Sequence, residues 1–536
     1  MDRRMTLLRF LFAAAMLIVC AACGSRTTLP IGEAPTKVHT FHALAPLSTS
    51  VSLSARPTLT WDLAPGMDGA VLTLCRDRAC SNVVETHDVV GTHFSPSANL
   101  TSGVYFWSLH GRAGSSASAR VTPTWQFTVG ATRATSGGAR PGSLDVNGDG
   151  IPEIAVGASH ALGGEGHVDV YSTDKIGPPM ITLTGTSAPG LGSSVATAVD
   201  VNGDGFGDLV VGARVGDSSA ALVYMGGANG LDASAPRRLH ASTDAVAGLG
   251  DVDGDGYGDV LVGADLFLGG ANGIAIEPAK TLAHGAIPAA SGDVDGDGLA
   301  DAIITDIGEP HLVYFYRGDR DKPLDSVSWR LAGPVSSSFG AALASAGDVN
   351  GDGFADLVVG APDMNRGGGN AFVYLGNAKG LADSPAHVLI YPDIGAGHYG
   401  SAVGCAGDLD GDGFDDVVIG ARTGGAMGLG AAYIYRGGAF VVESFATQRL
   451  DAGGTSGFGA AVHEVTTGQL AIGALGATGS PGSVAIFSAQ RVSPGAQDFA
   501  TQTGSLVPSD STSGSGFGSA IAHRTNVLST ARSGRT

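Results

Sequence analysis

Six short stretches of this chain carry an oxygen-bearing side chain at every second residue. They begin at Asp145 (DVNGDGIPE), Asp200 (DVNGDGFGD), Asp251 (DVDGDGYGD), Asp293 (DVDGDGLAD), Asp348 (DVNGDGFAD) and Asp408 (DLDGDGFDD). Positions 1, 3, 5 and 9 are Asp145, Asn147, Asp149 and Glu153 in the first loop, Asp200, Asn202, Asp204 and Asp208 in the second, and Asp251, Asp253, Asp255 and Asp259 in the third. The remaining sets are Asp293, Asp295, Asp297 and Asp301, then Asp348, Asn350, Asp352 and Asp356, then Asp408, Asp410, Asp412 and Asp416. Alternate oxygens on a tight, glycine-bearing turn suit a hard cation such as Ca²⁺, which takes about 6–8 oxygen ligands in irregular geometry. One Asp-Gly turn would mean little. Six in one chain define a repeat.

The flanking residues say what positions these loops. Position 12 of an EF-hand is a bidentate Glu at the start of a helix, whereas here it is Val156, Val211, Val262, Ile304, Val359 or Ile419, inside runs such as LVVGA and VVIGA. Each loop therefore joins two β-strands, and the second is apolar on both faces.

Composition fits this picture. Of 50 acidic residues, three lie at the metal-type positions of each loop with Asn at position 3 and four in each of the others, 21 in all. The formal charge of −20 is thus largely loop chemistry, and six Ca²⁺ would bring it to about −8. With no basic patch, nucleic acid is excluded as an expected partner. The 85 glycines have no collagen period and match many short strands joined by tight turns.

Along the chain, Arg3, Arg4 and Arg9 precede an apolar run, Phe10 to Val19, that reads as a signal peptide over residues 1–22. Its end, Cys20-Ala-Ala-Cys23-Gly, resembles a bacterial lipoprotein cleavage box, which implies lipidation of Cys23 and a membrane anchor in the cell envelope, at the outer membrane or cell surface. Cys20 stands where that family usually has Leu or Val. Residues 23–50 read as a tether, and 51–130, with short alternating runs at 58–61, 71–75, 82–85, 104–109 and 124–129, as a small β-sandwich. Leu100 to Trp107, with Tyr105 as a corner tyrosine, resembles a late strand of fibronectin type III modules. Cys75 and Cys80 flank a four-residue turn and are candidates for a disulfide, or for half of a C-x₄-C zinc site whose second pair is missing.

From 131 to 525 the unit is an apolar run, often opened by Phe-Gly or Tyr-Gly (Phe339-Gly340, Tyr399-Gly400, Phe458-Gly459), then the acidic loop, a strand ending Gly-Ala, and a further strand such as Ala431 to Tyr435. This resembles FG-GAP repeats, the units of the seven-bladed propeller of integrin alpha subunits and of many bacterial surface proteins. The resemblance implies an all-β fold: a seven-bladed β-propeller with Ca²⁺ loops, up to six of them loaded, behind the small sandwich. It also implies a backbone carbonyl ligand at position 7, namely Ile151, Phe206, Tyr257, Leu299, Phe354 and Phe414. A seventh unit, from Gly457 to Phe487, keeps its strands and has no acidic loop. The third unit is compressed, and the fourth has Thr305-Asp306 where Gly-Ala is expected. The first unit lacks an opener while the C-terminus has a spare one, Gly516 to Ile521, so this segment is expected to complete the first blade, the alternative being a truncated eighth unit, ahead of a tail at 526–536.

Enzyme motifs are missing: there is no His-Glu-x-x-His, Gly-x-Ser-x-Gly or P-loop. Gly395 to Gly400 spells G-x-G-x-x-G without a βαβ setting, and Arg317-Gly-Asp319 reads as a strand-end turn. The expectation is a lipid-anchored binding scaffold, not an enzyme, that offers a protein or polysaccharide the loops opposite the metal loops, such as 363–370, 423–430 and 476–482. A polysaccharide lyase or hydrolase built on the propeller is the alternative.

Overall fold

The computed structural model describes residues 41–129, 144–509, 517–522 and 527–528, apart from short internal gaps of which 490–499 is the longest. The segment expected to be a signal peptide, and Cys23, lie outside the described residues. Among these residues no helix is long and apolar enough to cross a membrane.

Residues 42–129 form two packed sheets. One pairs His42–Ala45, Leu59–Asp62 and His93–Phe94; the other is built on Gly69–Cys75 and Gly103–Ala113, with Val83–Val90, Trp125–Val129, Ser50–Ser52 and Ser116–Val121 added. Inward positions alternate along Gly69–Cys75 as Ala70, Leu72 and Leu74, and meet Trp61, Tyr105, Trp107 and Phe127 in one core. The strand His42–Ala45 corrects the tether reading of 23–50. Its pairing with Leu59–Asp62 buries Ala43, a contact too short to leave a periodic pattern. Cys75 and Cys80 form a disulfide across the turn, with Cα atoms 5.1 Å apart. Tyr105 donates its hydroxyl proton to the Thr101 carbonyl at 2.9 Å, as a corner tyrosine does.

From Glu153 onward, seven antiparallel sheets follow one another among the described residues. Their innermost strands are Ala520–Ala522, Ser194–Val199, Val246–Gly250, Ile287–Gly292, Ala342–Gly347, Tyr399–Gly407 and Phe458–Thr466. Each innermost strand packs against the next, and Ala520–Ala522 touches both the seventh and the second, so the sheets close a ring. The C-terminal segment pairs Ala155 with Ala522 and Val156 with Ile521, and thus supplies the inner strand of the first sheet. The strand Val527–Leu528 adds to the fifth sheet beside Leu343 and Ala344.

The Phe-Gly and Gly-Ala signatures mark where sheets touch. A Cβ on Gly360, in the second strand of sheet five, would sit 2.0 Å from the carbonyl oxygen of Gly400 in the opener of sheet six. Gly157, Gly420 and Gly473 face Gly192, Gly459 and Gly518 in the same way. In sheet four the equivalent residue is Thr305, and its hydroxyl donates to Gly340 O at 2.8 Å, so the departure from Gly-Ala is accommodated by a hydrogen bond. The compressed third unit keeps four strands, shortened to 5, 4, 3 and 2 residues.

Two outcomes follow. Gly360→Ala should lower stability by about 2 kcal/mol or more in denaturant unfolding, because the obstacle is backbone and cannot rotate away. Removing residues 510–536 should lower the thermal midpoint, since it opens the first sheet's inner edge; an unchanged midpoint would refute closure by this segment.

Candidate metal centres

Each acidic loop begins as an Asx-capped turn. In the second loop the two Asp200 oxygens accept from Asp204 N (3.0 Å) and Gly205 N (2.8 Å), and Asp204 Oδ1 accepts from Phe206 N at 2.9 Å. The sixth repeats this with Asp408 on Gly411, Asp412 and Gly413 and with Asp412 on Phe414. Side-chain oxygens thereby cap a turn whose amides would otherwise be unpaired.

The carboxylates gather unequally. Oxygens of positions 1, 3 and 5 lie within 4.8 Å of one another in three loops (Asp251, Asp253, Asp255; Asp293, Asp295, Asp297; Asp408, Asp410, Asp412), and those of positions 1, 5 and 9 in the first (Asp145, Asp149, Glu153). In the second and fifth loops position 3 is Asn, whose amide donates to the position 5 carboxylate: Asn202 to Asp204 at 2.8 Å and Asn350 to Asp352 at 2.9 Å.

Position 9 has a task that its spacing did not reveal. Asp208, Asp259, Asp301, Asp356 and Asp416 are buried, and each brackets two backbone amides at 2.8–3.0 Å. One belongs to position 2 of its own loop (Val201, Val252, Val294, Val349, Leu409), the other to a glycine ending the third strand (Gly226, Gly269, Gly318, Gly376, Gly437). Glu153 holds Val146 N and the Asn147 amide instead. Position 9 therefore ties loop to sheet through charge-assisted bonds.

Position 7 likewise does more than offer a carbonyl. The Tyr257, Phe354 and Phe414 rings and the Leu299 side chain lie over glycines of the preceding loop, leaving no room for a Cβ on Gly203, Gly296, Gly351 or Gly254. Position 8 amides donate to the position 1 carbonyl one loop back, as Gly207 to Asp145, Gly258 to Asp200 and Ala300 to Asp251, at 2.8–2.9 Å. The loops thus form a chain of contacts running from sheet to sheet.

Burial pushes these acids toward protonation: Asp200 and Asp297 to about 6, Asp348 to about 7, Asp416 to about 8 and Glu153 to about 9. Desolvation is the largest cause in each, and neighbouring carboxylates add to it. Crowded, oxygen-only, desolvated carboxylates fit a hard dication, which would supply the charge they lack. Arginines supply part of it. Arg78 lies 3.5 Å from Asp251, Arg317 pairs with Asp295, and Arg436 lies 3.1 Å from Asp410. The Arg317-Gly-Asp319 triplet is accordingly built into the sheet, with Gly318 N on Asp301 and Asp319 N on the Val252 carbonyl.

At the other end of the sheets lie the turns between second and third strands and between successive sheets. Among the described residues, seven of the nine non-glycine residues with left-handed backbone fall there: Leu162, Ser336, Ser338, Asn365, Arg366, His398 and Met427. His398 Nδ1 lies 2.7 Å from Thr423 Oγ1, His398 Nε2 lies 3.8 Å from Asp363, and Ser338 donates to Asp363. Ile394 and Met427 stand almost fully exposed beside this group. Of the expected loops, 363–370 and 423–430 contribute, while 477–480 lies outside the described residues.

A ring of β-sheets stitched by acidic loops defines a β-propeller. An FG-GAP-like repeat model matches residues 293–359 and 348–419, and an FG-GAP repeat model matches 137–171 and 191–228. Integrin alpha-4 of Xenopus laevis is 39% identical over 127 residues, 23% of this chain and 12% of that protein; integrin alpha-PS5 of Drosophila melanogaster is 41% identical over 110 residues, 19% and 10%. The chain spans about a tenth of the length of these relatives. Among solved structures, one titled as the Dos1 propeller aligns at TM-score 0.35 and 10% identity, over 79% of this chain and 93% of that one. The matched segments are FG-GAP-type repeats, and the fold that carries them is a β-propeller.

The roles of positions 9 and 5 separate experimentally. Asp356→Asn should cost about 2–4 kcal/mol in chelator, because it disturbs two buried amides, whereas Asp352→Asn should act mainly by removing stabilisation by added metal. The pH dependence has a definite sign. These acids titrate higher in the folded, metal-free state than in the unfolded chain, so their contribution is complete below about pH 4 and is lost as pH rises through 6 to 9. The metal-free thermal midpoint should fall over that window, and saturating Ca²⁺ should flatten the curve by replacing the protons.

Proposed function

We propose that this protein is a calcium-stabilised binding scaffold of the cell envelope, exported and anchored through lipid on Cys23, whose seven-bladed propeller offers the end opposite its metal loops to a protein or polysaccharide. The two-ended division of contacts carries this reading. The sandwich meets the propeller on its acidic loops: Ser48 Oγ donates to Gly298 O at 2.9 Å, Trp125 Nε1 to Gly296 O at 3.2 Å, and the His42 ring stacks on Phe354 at 5.8 Å. With the sandwich covering part of the acidic-loop end, the opposite end is the one left for a ligand. There the left-handed turns around Asp363, His398 and Met427 are of the kind retained for recognition.

Calcium then acts as a staple and not as a reagent. At a concentration ten times Kd each site adds about 1.4 kcal/mol, so six would add about 8, comparable to the net stability of an ordinary domain. Extracellular Ca²⁺ modules bind at about 10⁻⁴ to 10⁻³ M. Activity as an enzyme is not part of this proposal.

A glycan array and a panel of purified surface proteins, each probed with and without Ca²⁺, test the reading. A ligand is expected whose affinity falls about tenfold or more on Met427→Asp or Ile394→Asp and on chelation. Turnover of a polysaccharide with no retained ligand would contradict it.

A further inference from the structure

The repeat contains its own control for the arginines at the metal loops. The residue opposite position 9 on the third strand is fixed by strand register: Glu153 pairs with Ser172, and the pairings Leu209–Tyr224, Val260–Phe267, Ala302–Tyr316, Leu357–Tyr374 and Val417–Tyr435 place Met225, Leu268, Arg317, Leu375 and Arg436 there in the other five sheets. In all but the first sheet it immediately precedes the glycine whose amide holds position 9.

This position follows the loop's charge. Where position 3 is neutral (Asn147, Asn202, Asn350) the residue is Ser172, Met225 or Leu375; where position 3 is Asp295 or Asp410 it is Arg317 or Arg436, whose guanidinium meets that aspartate. An extra carboxylate is thus matched by an extra cation from the same sheet, and counting only a loop's own ligand charges and its own sheet's arginine the balance is −3 in each case. The third loop breaks the rule. It has Asp253, giving four carboxylates, yet Leu268 at the arginine position.

We propose that Arg78, on the disulfide-closed turn of the sandwich, is the missing cation of the third loop, and that the sandwich docks on the propeller by completing that loop's charge balance. Arg78 is buried between the domains and reaches Asp251 at 3.5 Å, with Nη1 donating to Gly298 O and Thr124 O at 3.0 Å each, while Nη2 meets Gln126. It packs closely on two loop glycines. A Cβ on Gly298 would lie 2.2 Å from Thr124 O and 3.1 Å from Arg78 Nη1, and one on Gly254 would lie 3.1 Å from Arg78 Nε. At the equivalent sixth-loop glycines, Gly411 and Gly413, a Cβ would meet nothing within 4 Å. Arg78 approaches position 1, where Arg317 and Arg436 approach position 3. With the three carboxylates within 4.8 Å of one another, any of them shares the compensation.

A purely structural arginine and a charge-balancing one predict different couplings. The full mature chain should be compared as wild type, Arg78→Gln, Asp253→Asn, and the double variant, by thermal and denaturant unfolding in calcium. Arg78→Gln is expected to lower the midpoint by several degrees, and adding Asp253→Asn to recover at least half of that loss, because the unmatched carboxylate is gone. Arg78→Gln with Leu268→Arg, which restores the cation from the propeller side, should recover stability as well. If the penalties of Arg78→Gln and Asp253→Asn simply add, the proposal is overturned. If Arg78→Gln does not fold, folding of the double variant supports the proposal and failure of both contradicts it, since lost hydrogen bonds and not charge would then be the cause.

Discussion

The structure depends on how buried carboxylates are satisfied. Removing a carboxylate from water costs several kcal/mol unless donors or counter-charges replace the solvent. Here the solution is divided by position. In five of the six loops position 9 is held by two backbone amides, which bind loop to sheet but leave its buried charge to be matched. Positions 1 and 5 cap their own turn with some of their oxygens, and in three loops the carboxylates of positions 1, 3 and 5 crowd together, which is stable only with positive charge nearby. Arginine provides some of it in three loops. The remainder suits a dication.

Because position 8 and the position 7 side chain of one loop rest on the loop before it, these local demands are passed around the ring. Between neighbouring sheets, a glycine of the second strand meets a glycine carbonyl at the next sheet's opener, where a Cβ would collide with backbone; in sheet four Thr305 takes that place through a hydrogen bond. The strand Ala520–Ala522 closes the circle, and the described residues before it are fastened on the first sheet by Tyr171, whose hydroxyl donates to Val507 O at 2.6 Å, and by Ser509 N on Asp169 at 2.7 Å.

The repeat, the strands beside each loop, the missing opener of the first unit and its spare copy at the C-terminus were all legible in the sequence, because period and motif are local. What lay beyond it was lateral. Nothing in the residues around Asp301 says that its oxygens meet Gly318 N, and nothing around Cys75 says that Arg78 meets a loop some 170 residues away. The triplet at Arg317 shows the reverse case: a string with an association of its own proves to be the ordinary end of a strand. The strand at His42–Ala45 was missed because so short a pairing leaves no alternation to read.

The most direct test of the central claim is the metal content of the purified mature chain after gel filtration in millimolar Ca²⁺, read with its melting midpoint before and after chelation. The account predicts several calcium ions per chain, up to six, and a midpoint that falls by many degrees when they are removed and returns when they are restored. A chain that retains no calcium and melts at the same temperature in chelator would contradict it.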